Sequence, residues 1–421
     1  MAVTFTHPMK TLLRLLQNSA ALSLLLAPAL PATAFDAATL KPLGVNVGGV
    51  NYFTTPYFAN AVAQGGEWLE FDTNFGDRVP HFNSAQFNEK GYPKFLNPGK
   101  KLRLLLFGLH TDYGDLRHPS WPVRDSVLAN GKIVVEWTGD ADIRLNDGVF
   151  LPGESNGPET GSLVNGRRVY LKSNASDNSF MQVESINAAN PVTDLKVWLP
   201  DPADPQNATL EDGLFHPVFL QRLAEVDWAF LRMMDWGVTN ANPQKSWSDR
   251  RLPDHVFQCG ILNDRDPTDE FALSIGDRET GVAYEHIIAL CNAANKDLWI
   301  CIPHLADDDF ITKLAQMIRF GSDGVNPHTA PVADPAFAPL NPNLRVYVEY
   351  SNEIWSNGFS FPQGNWAEAK AAQQGITRPQ FNARQFCRVW RVFEQVFEGN
   401  DRLIKTAAVF TGSQSYIEEF L

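Results

Sequence analysis

Beyond residue 216, short and almost wholly apolar runs alternate with stretches of helical periodicity, and few architectures satisfy that rhythm. Leu220 and Leu223 fall at helical spacing before the run Phe230-Leu231-Arg232-Met233-Met234. Tyr284, Ile287, Ile288 and Cys291 repeat the pattern before the run 298–302, and Ile311, Leu314, Ala315 and Ile318 before the run 344–350. Phe386, Val389, Trp390, Phe393 and Phe397 give a further helix before the run 403–410. A strand without polar alternation is apolar on both faces and must be covered on both, the condition of a parallel sheet with helical crossovers. An earlier run at 43–50, ending in Gly48-Gly49, brings the strands of this type to five. An open doubly wound sheet and a (β/α)8 barrel both fit. No Gly-x-Gly-x-x-Gly follows any strand, which weakens the nucleotide-binding version. A closed barrel needs eight strands, so the α/β part is either incomplete or not a barrel.

Between the first of these strands and the second, the pattern changes. Runs at 102–107, 132–137, 169–172, 180–186 and 195–199 are short and β-rich, separated by turn sequences such as Ala129-Asn130-Gly131 and Leu145-Asn146-Asp147-Gly148. Such spacing leaves no room for a helix of normal length and predicts a small inserted all-β module. The organisation expected is an export signal over 1–34, the start of the α/β part over 35–99, the β-rich module over 100–205, and four further strands with helices over 206–421.

The signal is read from Lys10 and Arg14, the apolar stretch from Leu22 to Leu30, and the small-residue site Ala32-Thr33-Ala34. That pattern predicts cleavage near Ala34 and a secreted or periplasmic protein. No later segment is long and apolar enough to span a bilayer. A net charge of −13 argues against nucleic acid or an anionic membrane surface as partner. Cys259, Cys291, Cys301 and Cys387 form no Cys-x-x-Cys pair, so no structural zinc site is expected. Asp307-Asp308-Asp309 lacks the glycine of a calcium loop and suits a helix cap near Phe310 better than a metal site. No cofactor is expected.

The stretch that points to chemistry is Val346-Tyr347-Val348-Glu349-Tyr350-Ser351-Asn352-Glu353-Ile354-Trp355. A buried strand ends in Asn-Glu, followed by an aromatic residue. At the C-terminal mouth of parallel strands, where active sites of barrels are built, Glu353 beside Trp355 and Tyr350 reads as a proton-donating acid. Asn352 reads as a partner for a substrate hydroxyl. For the dipeptide alone, a capping Asn and a solvated Glu that starts a helix is the better explanation.

In this strand context the sequence resembles the clan A glycoside hydrolases, retaining (β/α)8-barrel enzymes that include many cellulases, mannanases and arabinofuranosidases. Members carry Asn-Glu at the end of their fourth strand, and Asn352-Glu353 ends the fourth strand here. Many carry an Arg on the second strand, matched by Arg232, and a His at the end of the third, matched by His304 in Ile302-Pro303-His304. The resemblance spans roughly 42–55 and 216–412. It implies an incomplete TIM-barrel fold with an inserted β module, acting on a polysaccharide or oligosaccharide, with Glu353 as acid/base. It also implies that Asn352, Arg232, His304, Trp355 and Trp236 contact substrate, Arg232 orienting a carboxylate or else pairing structurally with Asp235. Trp247 reads either as a further sugar-stacking residue or as core, and Asn240 and Asn242 read as turn residues in preference to subsite hydrogen-bonders. A retaining mechanism needs a second carboxylate about 5 Å from the first. In the clan that nucleophile lies on a seventh strand, which these five do not include. The competing expectation is a non-catalytic carbohydrate-binding or surface protein.

Overall fold

The computed structural model describes residues 43–421, apart from 53, 55, 67, 73–76, 79–84, 108–130, 147, 173–178, 260–279, 326–327, 358–360 and 400. The expected export signal lies outside the described residues. The chain opens with β1 (Val45–Asn46), shorter than the run 43–50 suggested. Gly44, Gly48 and Gly49 bracket it, and glycine is a poor strand residue.

Ten strands follow. They are β2 (Trp68–Phe71), β3 (Asp77–Arg78), β4 (Lys101–Phe107), β5 (Lys132–Thr138), β6 (Asp140–Leu145), β7 (Val149–Phe150), β8 (Leu163–Val164), β9 (Arg167–Leu171), β10 (Ser179–Ile186) and β11 (Asp194–Trp198). They pair antiparallel in two sheets, ordered β3-β2-β4-β10-β6-β8 and β11-β5-β9-β7. Alternation decides which side chains meet: Leu102, Leu104, Met181 and Val183 of one sheet share a core with Ile133, Val135, Leu195 and Val197 of the other. The larger sheet begins with β2 and β3, so it draws on chain before residue 100.

The remaining strands are β12 (Phe230–Arg232), β13 (Asp297–Ile302), β14 (Val346–Tyr350) and β15 (Leu403–Thr406). With β1 they form a parallel sheet in sequential order, β1-β12-β13-β14-β15. Among the described residues six helices accompany them: α1 (Pro217–Ala224), α2 (Tyr284–Ala294), α3 (Asp308–Phe320), α4 (Pro362–Gln373), α5 (Arg378–Phe397) and α6 (Gln414–Phe420). One sheet face, carrying Leu231, Leu298, Ile300, Val346 and Val348, is buried against apolar residues of α2, α3 and α5. The opposite face carries an aromatic row in which Phe230, Trp299 and Tyr347 lie with ring centroids 4.9 to 5.7 Å apart. The architecture is thus mixed α/β with three sheets. Among the described residues β1 and β15 are the edges of the parallel sheet, which does not close into a barrel.

The acidic triplet is a cap. The Asp307 carboxylate accepts from the Phe310 amide at 2.8 Å, and Asp308 and Asp309 occupy the first turn of α3. Negative charge there meets the positive end of the helix dipole. Cys291, Cys301 and Cys387 are free thiols, and the Cys259 thiol donates to the Gly65 carbonyl. Among the described residues no helix is long and apolar enough to cross a membrane.

Candidate active site at the strand ends

Two charged residues stand in otherwise apolar strands, Arg232 at the end of β12 and Glu349 in β14. Both lie on the face turned away from the helices, and β13 runs between them. Arg232 Nη2 donates to Glu349 Oε1 at 3.1 Å and Oε2 at 2.9 Å, and Arg232 Nε donates to Oε2 at 3.2 Å. The Trp299 indole donates to Oε2 at 2.8 Å, and the Cys301 thiol approaches the same oxygen at 3.4 Å. Glu349 is 1% exposed. An unpaired carboxylate at that depth would cost several kcal/mol, so the guanidinium and indole are what let it remain there. Burial works against the Arg232 charge, but the facing Glu349 carboxylate and its hydrogen bonds outweigh it and hold its pKa above the usual arginine value. Burial, reinforced by Glu349, pushes the Cys301 thiol well up, so it stays a neutral donor.

The network continues toward the strand ends. Arg232 Nη2 also donates to Asn352 Oδ1 at 2.9 Å, and Asn352 Nδ2 donates to Asn240 Oδ1 at 2.9 Å. Gln363, the second residue of α4, donates to the same Asn240 oxygen at 2.8 Å and to the Asn352 carbonyl at 2.9 Å. Four non-glycine residues in the two loops so joined have left-handed backbones: Val238 and Ala241 after β12, Ser351 and Glu353 after β14. Each such residue stores roughly 1 to 3 kcal/mol of strain, and strain of this kind clusters at functional sites. Glu353 itself is half-buried, and among the described residues its carboxylate makes no hydrogen bond or ion pair.

Beside this network lies a cleft of about 420 Å³ at the ends of β1 and β12, whose walls include Asn51, Thr54, Asp235, Thr239, Asn240 and Gln258. Asn46 Nδ2 donates to Asp235 Oδ2 at 2.6 Å. Asn240 belongs to both the cleft and the network. Glu353 does not line the cleft walls.

The sequence-derived site residues divide accordingly. Arg232 and Asn352 meet, but the carboxylate that Arg232 holds is Glu349. The expected alternative partner, Asp235, is bound by Asn46 instead. Trp236 borders the cleft but is fully buried, stacked on Phe219 with centroids 6.1 Å apart and flanked by Phe58 and Phe215. Trp247 is likewise core, its indole donating to the Asp323 carbonyl. His304 is buried at the end of β13, edge-on to Trp366 at 5.2 Å, and its backbone carbonyl accepts from the Tyr350 hydroxyl at 2.9 Å. The Tyr350 ring packs edge-on against Phe386 on the helix side, away from Glu353. Trp355 is half-buried, two residues past Glu353. Asn242 is a turn residue, donating to the Gly237 carbonyl, whereas Asn240 is not merely one.

Glu349 went unread, although a lone acid in Val346–Tyr350 and a lone Arg in Phe230–Arg232, both in buried strands, are a signal that the two pair. Nothing in the sequence marks Gln363, and Asn240 stood out there chiefly as a turn residue. Among the described residues no group of three His, Cys, Asp or Glu side chains could hold a metal. No protein family, curated protein or solved structure matches the chain.

Proposed function

We propose that this protein is an exported glycoside hydrolase of the retaining (β/α)8 type, working without a cofactor, in which Glu353 is the acid/base. The observation that carries the reading is the division of labour between two glutamates four residues apart. Glu349 is neutralised by Arg232, whereas Glu353 sits on a strained turn at the end of the parallel strands with its carboxylate uncommitted among the described residues. Glu353 would donate its proton to the leaving glycosidic oxygen, then take one from water. Asn352, fixed by Arg232 and Asn240, would steady a sugar hydroxyl. The sequential order of the five parallel strands supports the barrel reading. On the resemblance, the nucleophile is a glutamate of a seventh strand. The described walls of the cleft carry amides, hydroxyls and one carboxylate but no cation, which favours an uncharged glycan over an acidic one.

The test is hydrolysis by the full-length gene product and its Glu353→Gln variant on β-glucan, mannan, xylan and arabinofuranosides. The variant should lose roughly 10²- to 10⁴-fold in rate, the range of general acid catalysis, while still binding sugar. Equal rates for the two proteins would refute the role of Glu353. One observation favours the alternative of a non-catalytic carbohydrate-binding protein: Glu353 is not on the cleft wall. Binding without hydrolysis by the wild type would decide for that alternative.

A further inference from the structure

We propose that Gln363 is a positioning residue for Glu353, a clasp that fixes the turn after β14 against the loop after β12; this rests on the reading of Glu353 as acid/base. Gln363 is fully buried, and its amide is used at both ends. Nε2 donates to Asn240 Oδ1 at 2.8 Å and to the Asn352 carbonyl at 2.9 Å, and Oε1 accepts from the Ala241 amide at 3.1 Å. Only one orientation of the amide works, because a flip would set its oxygen against two acceptors.

What the amide grips matters more than the number of bonds. Ala241 is itself left-handed, as is Val238 in the same loop, and Asn352 lies between the left-handed Ser351 and Glu353. Conformations of this kind persist only where their surroundings over-determine them. The backbone ties of the turn run elsewhere: Ser351 donates to the Ile302 carbonyl and Ser356 to the Glu353 carbonyl, both at 2.8 Å. Neither reaches the loop after β12. That junction is made by Asn352 and Gln363, which share the Asn240 oxygen. The start of α4 is also pressed directly on the turn, since a Cβ on Gly364 would overlap the Ser356 carbonyl oxygen. A general acid must lie within hydrogen-bond reach of the oxygen it protonates, and misplacement by about 1 Å costs on the order of 100-fold.

The experiment compares the full-length protein with Gln363→Met, which fills the space without hydrogen bonds, and Gln363→Glu, which keeps the shape but loses the donors. Two quantities are read: steady-state hydrolysis, and amide exchange of Ser356, whose bond to the Glu353 carbonyl reports closure of the turn. Both variants should lose about 100-fold in kcat with KM changed by less than roughly threefold, because positioning acts on the transition state. Exchange at Ser356 should quicken in both. Hydrolysis and exchange at wild-type values in Gln363→Met would overturn the clasp while leaving the acid/base reading intact. A folded wild type as inactive as Glu353→Gln would overturn that reading and the positioning role with it. Should the position 363 variants not fold, Asn240→Ala releases the same clasp from the cleft side and must show the same two effects.

Discussion

Arg232 and Glu349 are joined across an intervening strand: the guanidinium at the end of β12 reaches past β13 to a carboxylate in β14, and the Trp299 indole between them donates to the same carboxylate. The pair therefore fastens three neighbouring strands through side chains, on the face that the helices do not cover. Its energetics follow from burial. Two charges removed from water gain little net stability by pairing, but removing one partner strands the other. Arg232→Met should cost about 3 to 5 kcal/mol, whereas Arg232→Met combined with Glu349→Leu should cost less than the sum of the single changes. Urea unfolding of the three variants measures this. Strictly additive losses would show that the pair is not coupled.

A second prediction concerns acid. His216 caps α1, its ring accepting from the Val218 amide at 3.3 Å, and it is 1% exposed. Burial lowers its pKa from 6.5 to about 4, with Asp201 opposing. The unfolded chain thus takes up this proton near pH 6.5 and the folded chain only near pH 4. The stability that neutral His216 contributes is complete above pH 6.5 and is lost as the pH falls toward 4, on the order of 3 kcal/mol in all. His286 is lowered to about 4 in the same way, burial again dominating. The melting temperature should fall between pH 6.5 and 4, and His216→Asn, which keeps a cap acceptor but no titration, should flatten that fall. Parallel pH curves for the two proteins would dismiss the assignment.

Neither of these two cases was read from the sequence; what was readable there is the hydrophobic pattern. The parallel strands and the covering helices followed from hydrophobic period alone, because burial of both strand faces leaves a period-independent apolar run that few other elements produce. Even the acidic triplet at Asp307 declared itself as a cap. Trp236 went the other way. Its position just past β12 matched a sugar-stacking residue equally well, and only the arrival of Phe58, Phe215 and Phe219 from distant segments makes it core. The junction of Asn352, Asn240 and Gln363 was hidden for the same reason. Amide side chains carry no period and no charge, so their pairing is decided by which loops the finished sheet brings together.

A third prediction tests the strain. Val238 is β-branched and has a φ of 42°, a region that bulky side chains rarely adopt. Val238→Gly removes that cost, about 1 to 3 kcal/mol, and adds roughly 0.5 to 1 kcal/mol of chain entropy to the unfolded state. The variant should be more stable by about 1 kcal/mol, read as a raised urea midpoint. A midpoint below that of the wild type would show that the Val238 side chain contributes more by packing than its backbone costs.

The last prediction turns on Gly364, whose role is spatial. It follows Gln363 at the start of α4, and an added methyl would meet the Ser356 carbonyl oxygen closely enough that either the helix or the turn must move. The neighbour is backbone, so no side-chain rotation relieves the overlap. Gly364→Ala should therefore destabilise by about 1 to 3 kcal/mol, as other overpacked sites do, although alanine is the better helix former by nearly 1 kcal/mol. Gly153, around which a methyl meets nothing within 4 Å, supplies the comparison. Gly153→Ala should stay within about 0.5 kcal/mol of wild type. Thermal unfolding of both variants, with amide exchange at Ser356, measures the difference. A Gly364→Ala protein as stable as Gly153→Ala, with unchanged exchange, would mean that α4 does not press on the Glu353 turn.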